Sequence, residues 1–237
     1  MNAILRELKT DLRGLANPQK AKAFSRFFKT GKGQYGEGDI FLGIMVPQQR
    51  RVAKKYIDLP LNDIKTLLSS RTHECRLVAL LILVAQYQKA GPAAKEQIAG
   101  FYLENSLHIN NWDLVDLSAP NILGEHLYQR DAAVLYRLAV SENVWERRIA
   151  IMATFAFIKK DRFRETLQNA ELLLHDKHDL IHKASGWMLR EVGKRDLPTE
   201  EIFLENYAHI MPRAMLRYAI EKCDETKRRY WLARRRT

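Results

Sequence analysis

The stretch Glu74-Cys-Arg-Leu-Val-Ala-Leu-Leu-Ile-Leu-Val-Ala-Gln86 sets the fold class. It reads as a helix, and its most apolar window, Leu77 to Ala85, runs into Gln86. That is far short of the roughly 18 uninterrupted apolar residues a membrane span needs. Working outward, the same helical period recurs over Ile4–Leu15, Pro18–Phe28, Gln48–Ile57, Asp63–Leu68, Ala93–Asn105, Ala132–Ala139, Glu146–Ile158, Arg162–Leu173, Leu180–Val192 and Glu200–Ala208. Breaks fall at Asn17-Pro18, Leu59-Pro60, Gly91-Pro92, Leu197-Pro198 and Met211-Pro212. Alternating strand patterns are scarce. The one sizeable irregular stretch, Thr30-Gly-Lys-Gly-Gln-Tyr-Gly-Glu-Gly-Asp39, holds four glycines in ten residues and reads as a loop.

Arg76 also begins a series. Arg76, Trp112, Arg148, Lys183 and Arg217 are spaced by 36, 36, 35 and 34 residues, each near the start of a helical segment. This is the period of helix-pair repeats of the HEAT or armadillo class, at its short end. The expected architecture is an all-α, HEAT-like helical-repeat solenoid (an α-α superhelix), a single domain over residues 1–237. A basic tail from about 227 to 237 is expected to contribute only non-specific electrostatics. Equivalent positions in a solenoid face the same way, so Arg76, Trp112, Asp116, Arg148, Lys183, Trp187 and Arg217 are expected on one basic, concave cleft.

The formal net charge is +11, with 39 Lys and Arg against 28 Asp and Glu over 237 residues, which points to an anionic partner. A membrane surface would usually come with a basic amphipathic segment or a lipidation site, and neither is evident. The first residues are amphipathic and carry Glu7 and Asp11, unlike a signal peptide. Cys75 and Cys223 form neither a disulfide framework nor a metal pattern, so a reduced, cytoplasmic setting is expected. His175, His178 and His182 lie among Asp176 and Asp179, and read as a solvated loop between helices rather than a metal site.

The chemistry concentrates in Asn110-Asn-Trp-Asp-Leu-Val-Asp116. A helix starting at the Asn pair places Trp112 and Asp116 one above the other. An indole and a carboxylate on a basic surface suit a partner that is anionic and can be stacked upon, as nucleic acid is. Trp187 occupies the position equivalent to Asp116, whereas Trp145 opens an apolar run and is the better candidate for the core. Asp113 suits a helix N-terminus. Asp116 sits deeper. Inside a basic groove it either stabilises an oxocarbenium ion or orients water, or else it forms an internal ion pair with Arg148. Candidate phosphate contacts are Arg50, Arg51, Arg76, Arg147, Lys159, Lys183, Arg190, Lys194, Arg213 and Arg217.

These residues carry a resemblance over nearly the whole chain. Gly31-Lys-Gly-Gln-Tyr-Gly-Glu-Gly-Asp-Ile-Phe-Leu-Gly-Ile44, Pro47, Asn111-Trp-Asp-Leu-Val-Asp116 and Leu123-Gly124 are followed by Trp145-Glu-Arg-Arg148, Gly186-Trp-Met-Leu-Arg-Glu191, Pro212-Arg213 and Leu216-Arg-Tyr-Ala219. In this order they resemble the AlkD-type DNA alkylation repair glycosylases of HEAT-like repeats. The resemblance implies Trp112, Asp116, Arg148 and Trp187 as the residues lining a DNA-facing cleft. It implies excision of cationic alkylated purines, of the 3-methyladenine and 7-methylguanine class, without a metal or organic cofactor. It also implies work on the lesion from the backbone side, without the closed pocket that glycosylases commonly use. The chain departs from the pattern at Phe27, where some members have Tyr; Tyr35 is a candidate substitute for that hydroxyl.

The expected protein is thus a monomeric, monofunctional DNA glycosylase acting on double-stranded DNA with alkylated bases, with Asp116 catalytic, Trp112 and Trp187 packing against the lesion's backbone, and Arg148 holding phosphate. The alternative is a non-catalytic repeat protein recognising distorted or branched duplex. A protein-binding scaffold would expect a less basic surface. Duplex affinity should fall at least tenfold, roughly, between about 50 and 200 mM salt, because bound Lys and Arg displace condensed counterions. A fluorescence titration showing no salt dependence would count against DNA as the partner.

Overall fold

The computed structural model of the chain describes residues 3–234. Among these there is no strand, and the fold is all-α and of helical-repeat class. It divides into two compact units, Met1–Ser118 and Ala119–Thr237.

The first unit contains α1 (Ala3–Gly14), α2 (Pro18–Phe27), α3 (Val46–Lys55), α4 (Leu61–Leu68), α5 (His73–Lys89), α6 (Pro92–Glu104) and α7 (Trp112–Ser118). Helix α5 is its centre, packed by α1, α3, α4, α6 and α7. Every residue of α5 from His73 to Leu83 is buried, so it presents no polar face, which explains its unbroken apolar run. Around it the amphipathic α1 buries Leu5, Leu8 and Leu12 at helical spacing. Prolines sit in the first turns of α2, α3 and α6, where the absent N–H costs nothing. Asn17 caps α2 by accepting from the Lys20 amide at 3.0 Å.

The glycine-rich stretch is a folded loop. Its end is tied to the residue that precedes α5 by a parallel bridge between Ile40 and Thr72. Beside it the Glu74 carboxylate, 1% exposed, accepts from three consecutive amides: Leu42 at 2.9 Å, Gly43 at 2.8 Å and Ile44 at 3.2 Å. Gly43 has φ +80°, and a Cβ there would collide with the Asn17 carbonyl oxygen and the Ala21 amide. Only glycine lets the loop pass so close to α2.

The second unit begins with a π-type turn at Pro120–Gly124. There follow α8 (Glu125–Leu127), α9 (Ala133–Ala139), α10 (Val144–Ala153), α11 (Phe155–Ile158), α12 (Arg164–Leu172), α13 (Asp179–Gly193), α14 (Leu197–Tyr207), α15 (Arg213–Ala219) and α16 (Glu225–Ala233). Here α9 packs on α10 and α12 on α13, while α10, α13 and α15 pack in succession. The 34–36-residue spacing is therefore the spacing of successive packed helices. Gly186 is part of the reason: a Cβ there would strike the Met215 carbonyl oxygen and Tyr218, so α13 and α15 meet closely only with glycine at this position.

One expectation needs correcting. The run Glu146–Ile158 is two helices, broken at Thr154, whose hydroxyl donates to the Ile151 carbonyl at 2.7 Å. The basic tail is structured up to Ala233 as α16, with Trp231 3% exposed, Lys227 paired to Glu201 at 2.6 Å and Arg234 paired to Glu205. Arg235 and Arg236 lie outside the described residues. Glu74→Gln should destabilise the protein by on the order of 3 kcal/mol, since a charged acceptor of several buried amides is replaced by a weaker one. Urea unfolding with an unchanged midpoint would show that this carboxylate does not hold the loop.

Candidate nucleic-acid interface

Helix α7 begins where the Asn110-Asn111 pair ends, and the Asn111 side chain accepts from the Trp112 amide at 2.8 Å. The Trp112 ring is half-buried and held on several sides. Phe28 stacks on it at 5.1 Å and 22°, and Phe27 meets it edge-on at 5.7 Å and 75°. The indole N–H donates to the Tyr35 hydroxyl at 3.2 Å. Phe28 stacks in turn on Phe41 (5.0 Å, 14°), and Phe41 on His73 (4.5 Å, 24°). Each such ring pair contributes about 0.5–1.5 kcal/mol beyond its buried area. Phe27 remains 63% exposed, so its ring extends the Trp112 surface toward solvent. Asp116 lies one turn along α7 and is also half-buried.

Beneath the rings runs a buried polar network. His73 Nε2 lies 2.8 Å from Asp113 Oδ2, and His73 Nδ1 lies 3.5 Å from Asp39 Oδ2. Asp39 also accepts from Arg76 Nη2 at 2.6 Å, and Arg76 Nη1 donates to the Ser70 carbonyl at 2.8 Å. Burial disfavours the charged imidazole, yet Asp113 and Asp39 outweigh it and raise the His73 pKa. Burial likewise works against the Asp39 carboxylate, but His73 and Arg76 hold its pKa below the ordinary value. The sequence placed Asp113 at a helix start and Arg76 on the DNA-facing surface. The first holds, with Asp113 accepting from the Leu114 amide at 2.9 Å, but Asp113 also anchors His73. The second is corrected: Arg76 is 3% exposed and spent on Asp39.

In the second unit Trp145 is 7% exposed, a core residue as its context suggested. Trp187 is half-buried, and its indole N–H donates to Glu191 at 3.1 Å. Glu191 also pairs with Lys194 at 2.6 Å, and Arg190 pairs with Glu221. Arg148 is 5% exposed, and its Nη1 donates to the Leu180 carbonyl at 2.6 Å, which ties α10 to α13. Arg147 is clamped by Asp176 at 2.6 Å and by the Ser141 and Glu142 carbonyls. The expected roles of Arg147 and Arg148 as open phosphate contacts do not match these placements. Lys183 pairs with Asp179 at 2.5 Å. Lys159, Lys194, Arg213 and Arg217 are exposed, as are Arg50 and Arg51 in the first unit. The histidine-rich loop is structural: His178 caps α13 through the Leu180 amide, and His182 Nε2 meets the Asp176 carbonyl at 2.6 Å.

Residues 8–223 match the family described as DNA alkylation repair enzyme. The chain belongs to that family. Among solved structures it is similar to a predicted DNA alkylation repair enzyme from Enterococcus faecalis, at 18% identity and TM-score 0.69, covering 89% of this chain and 97% of that one. It is similar also to AlkD2 from Streptococcus mutans, at 15% identity and TM-score 0.57, covering 87% and 98%. At such identities the likeness shows the fold alone. No curated protein matches the chain. Membership makes DNA the implied partner and alkylation damage the implied context. Among the described residues no helix is long and apolar enough to cross a membrane.

Sequence reading missed His73 and Asp39 as parts of the Trp112 support. The available signal was the polar run His73-Glu-Cys-Arg76 opening the most apolar helix of the family member's chain. The network has a pH signature. With the His73 pKa raised, its stabilisation is complete below the ordinary value of 6.5 and is lost as pH rises through the folded value. With the Asp39 pKa lowered, its contribution is present above the ordinary 3.8 and is lost as pH falls through the folded value. Unfolding free energy should therefore decline on the alkaline side, and His73→Gln should flatten that limb. Parallel wild-type and variant curves would remove His73 from the titrating set.

Proposed function

We propose that the protein is a monofunctional DNA glycosylase, acting as a monomer on double-stranded DNA, that excises cationic alkylated purines of the 3-methyladenine and 7-methylguanine class. The observation that carries this reading is the pairing of Trp112 and Asp116 one turn apart on α7, both half-buried. An aromatic face and a carboxylate at that spacing share one side of the helix. A DNA-binding surface that only gripped phosphate would gain nothing from the negative charge.

A purine alkylated at N3 or N7 is already cationic. When the N-glycosidic bond breaks, its electron pair goes to the base, which leaves neutral, and positive charge develops at C1′ and the ring oxygen of the sugar. No strong general acid is needed. The role assigned to Asp116 is to stabilise that charge and orient the water whose oxygen joins C1′ and whose proton is released. Trp112 supplies a face for the lesion's backbone, and Trp187 is assigned the same kind of contact. Phosphate neutralisation falls to the exposed cations Arg50, Arg51, Lys159, Lys194, Arg213 and Arg217 rather than to Arg76. No metal or organic cofactor enters this scheme.

Asp116→Asn preserves size and removes the charge. Release of 7-methylguanine from methylated DNA should fall by about 10²-fold or more, a few kcal/mol of lost electrostatic stabilisation. DNA affinity should hold or improve, and helical content should stay unchanged. A folded variant excising at the wild-type rate would end the catalytic assignment. Binding of methylated DNA by wild type without any base release would favour the non-catalytic reading.

A further inference from the structure

The glycine-rich loop and the exposed ring of Phe27 are left unexplained by the fold alone. A loop of this composition gains little from local stability, since glycine is costly to order. Yet this one is ordered by its own bonds: Gly31 N–H donates to the Gln34 side chain at 3.0 Å, and Gly33 N–H to Glu37 at 2.7 Å. Gly36 packs where a Cβ would collide with the Phe28 carbonyl oxygen, and its amide donates to the Lys29 carbonyl at 3.1 Å. Tyr35 is the residue this construction delivers. Its hydroxyl accepts the Trp112 indole N–H at 3.2 Å and points its own donor at the Phe27 carbonyl at 3.5 Å.

Resting on the glycosylase reading above, we propose that Tyr35 is a positioning residue: the hydroxyl that fixes the orientation of the Trp112 ring for contact with DNA. Phe28 closes one face of the indole and Phe27 braces it edge-on. Ring stacking alone restrains tilt but leaves rotation within the ring plane weakly determined, because dispersion contacts are non-directional. A hydrogen bond to the indole nitrogen is directional and removes that freedom. The remaining face is then presented at a fixed angle beside Asp116. Pre-organisation of this kind lowers the entropy lost when a ligand docks, and small misplacements of a contact group cost rate.

The same geometry accounts for Phe27. Tyr35 arrives from the loop and already supplies the hydroxyl at the indole, so position 27 needs only an apolar edge. Gly33, at φ +74°, and Gly36, where a Cβ would meet the Phe28 carbonyl oxygen, let the chain turn tightly enough to bring Tyr35 back over the end of α2.

Two measurements on the full chain decide the matter. In wild type, the indole N–H resonance of Trp112, assigned with Trp112→Phe, should show a cross-relaxation contact to the Tyr35 ring and slowed solvent exchange. In Tyr35→Phe it should shift and exchange several-fold faster, while the indoles of Trp145, Trp187 and Trp231 stay in place. Excision of 7-methylguanine by Tyr35→Phe should fall by about tenfold in kcat with little change in KM, while helical content is retained. Absence of the Tyr35 contact in wild type, or an unmoved Trp112 resonance in the variant, overturns the proposal whatever the activity. A moved resonance with unchanged excision overturns its link to DNA. If wild type releases no base, the glycosylase reading fails separately. The indole signature, with the affinity of Tyr35→Phe for duplex DNA, then decides the positioning role: weakened binding supports it and unchanged binding overturns it.

Discussion

A single buried carboxylate organises the first unit. Glu74 stands at the start of α5, where the helix is enclosed on every side, and receives the amides of Leu42, Gly43 and Ile44. Those amides end a long excursion of chain that would otherwise have no reason to return. Charged hydrogen bonds in a dry setting are strong when made and expensive when lost, so the loop has one low-energy way to close. Closing it seats Phe41 against His73, Phe28 against Phe41 and Trp112 against Phe28. The indole thus stands at the end of a column of rings whose foot is bonded to the most buried helix of the unit.

The electrostatics follow a similar logic. A chain of net charge +11 has a nominal excess of cations, but many are committed internally. Arg76 is held by Asp39, Arg147 by Asp176, Arg190 by Glu221 and Arg162 by Glu165. Arginine suits these tasks because its planar fork can satisfy several acceptors at once. The cations left exposed, Arg50, Arg51, Lys159 and Arg217 among them, are mixed in type. The division of labour between structural and partner-facing cations is decided by which acid each guanidinium meets.

Asp113 and Asp116 show how burial separates two carboxylates on one short helix. Asp113 faces inward and is bonded to His73, while Asp116, three residues on, is half-buried beside Tyr102. Burial raises the Tyr102 pKa, and the negative charge of Asp116 raises it further. The first aspartate serves the fold.

The amino-acid sequence by itself determined the all-α class, most helix positions and the spacing of successive packed helices, because helical period, proline punctuation and cap residues act within a few residues of one another. It also determined that Trp112 and Asp116 share a helix face, a consequence of four-residue spacing alone. Only the tertiary structure decided that Arg76 and Arg148 are buried, that Trp112 bonds to Tyr35 and that Glu74 holds the loop. Each of these joins residues some 30 to 80 positions apart, such as Tyr35 and Trp112, 77 apart. No local propensity encodes such a pairing. It exists because the packing of α2, α5 and α7 brings those side chains within bonding distance, and a polar group sealed from water must bond to whatever partner the packing supplies.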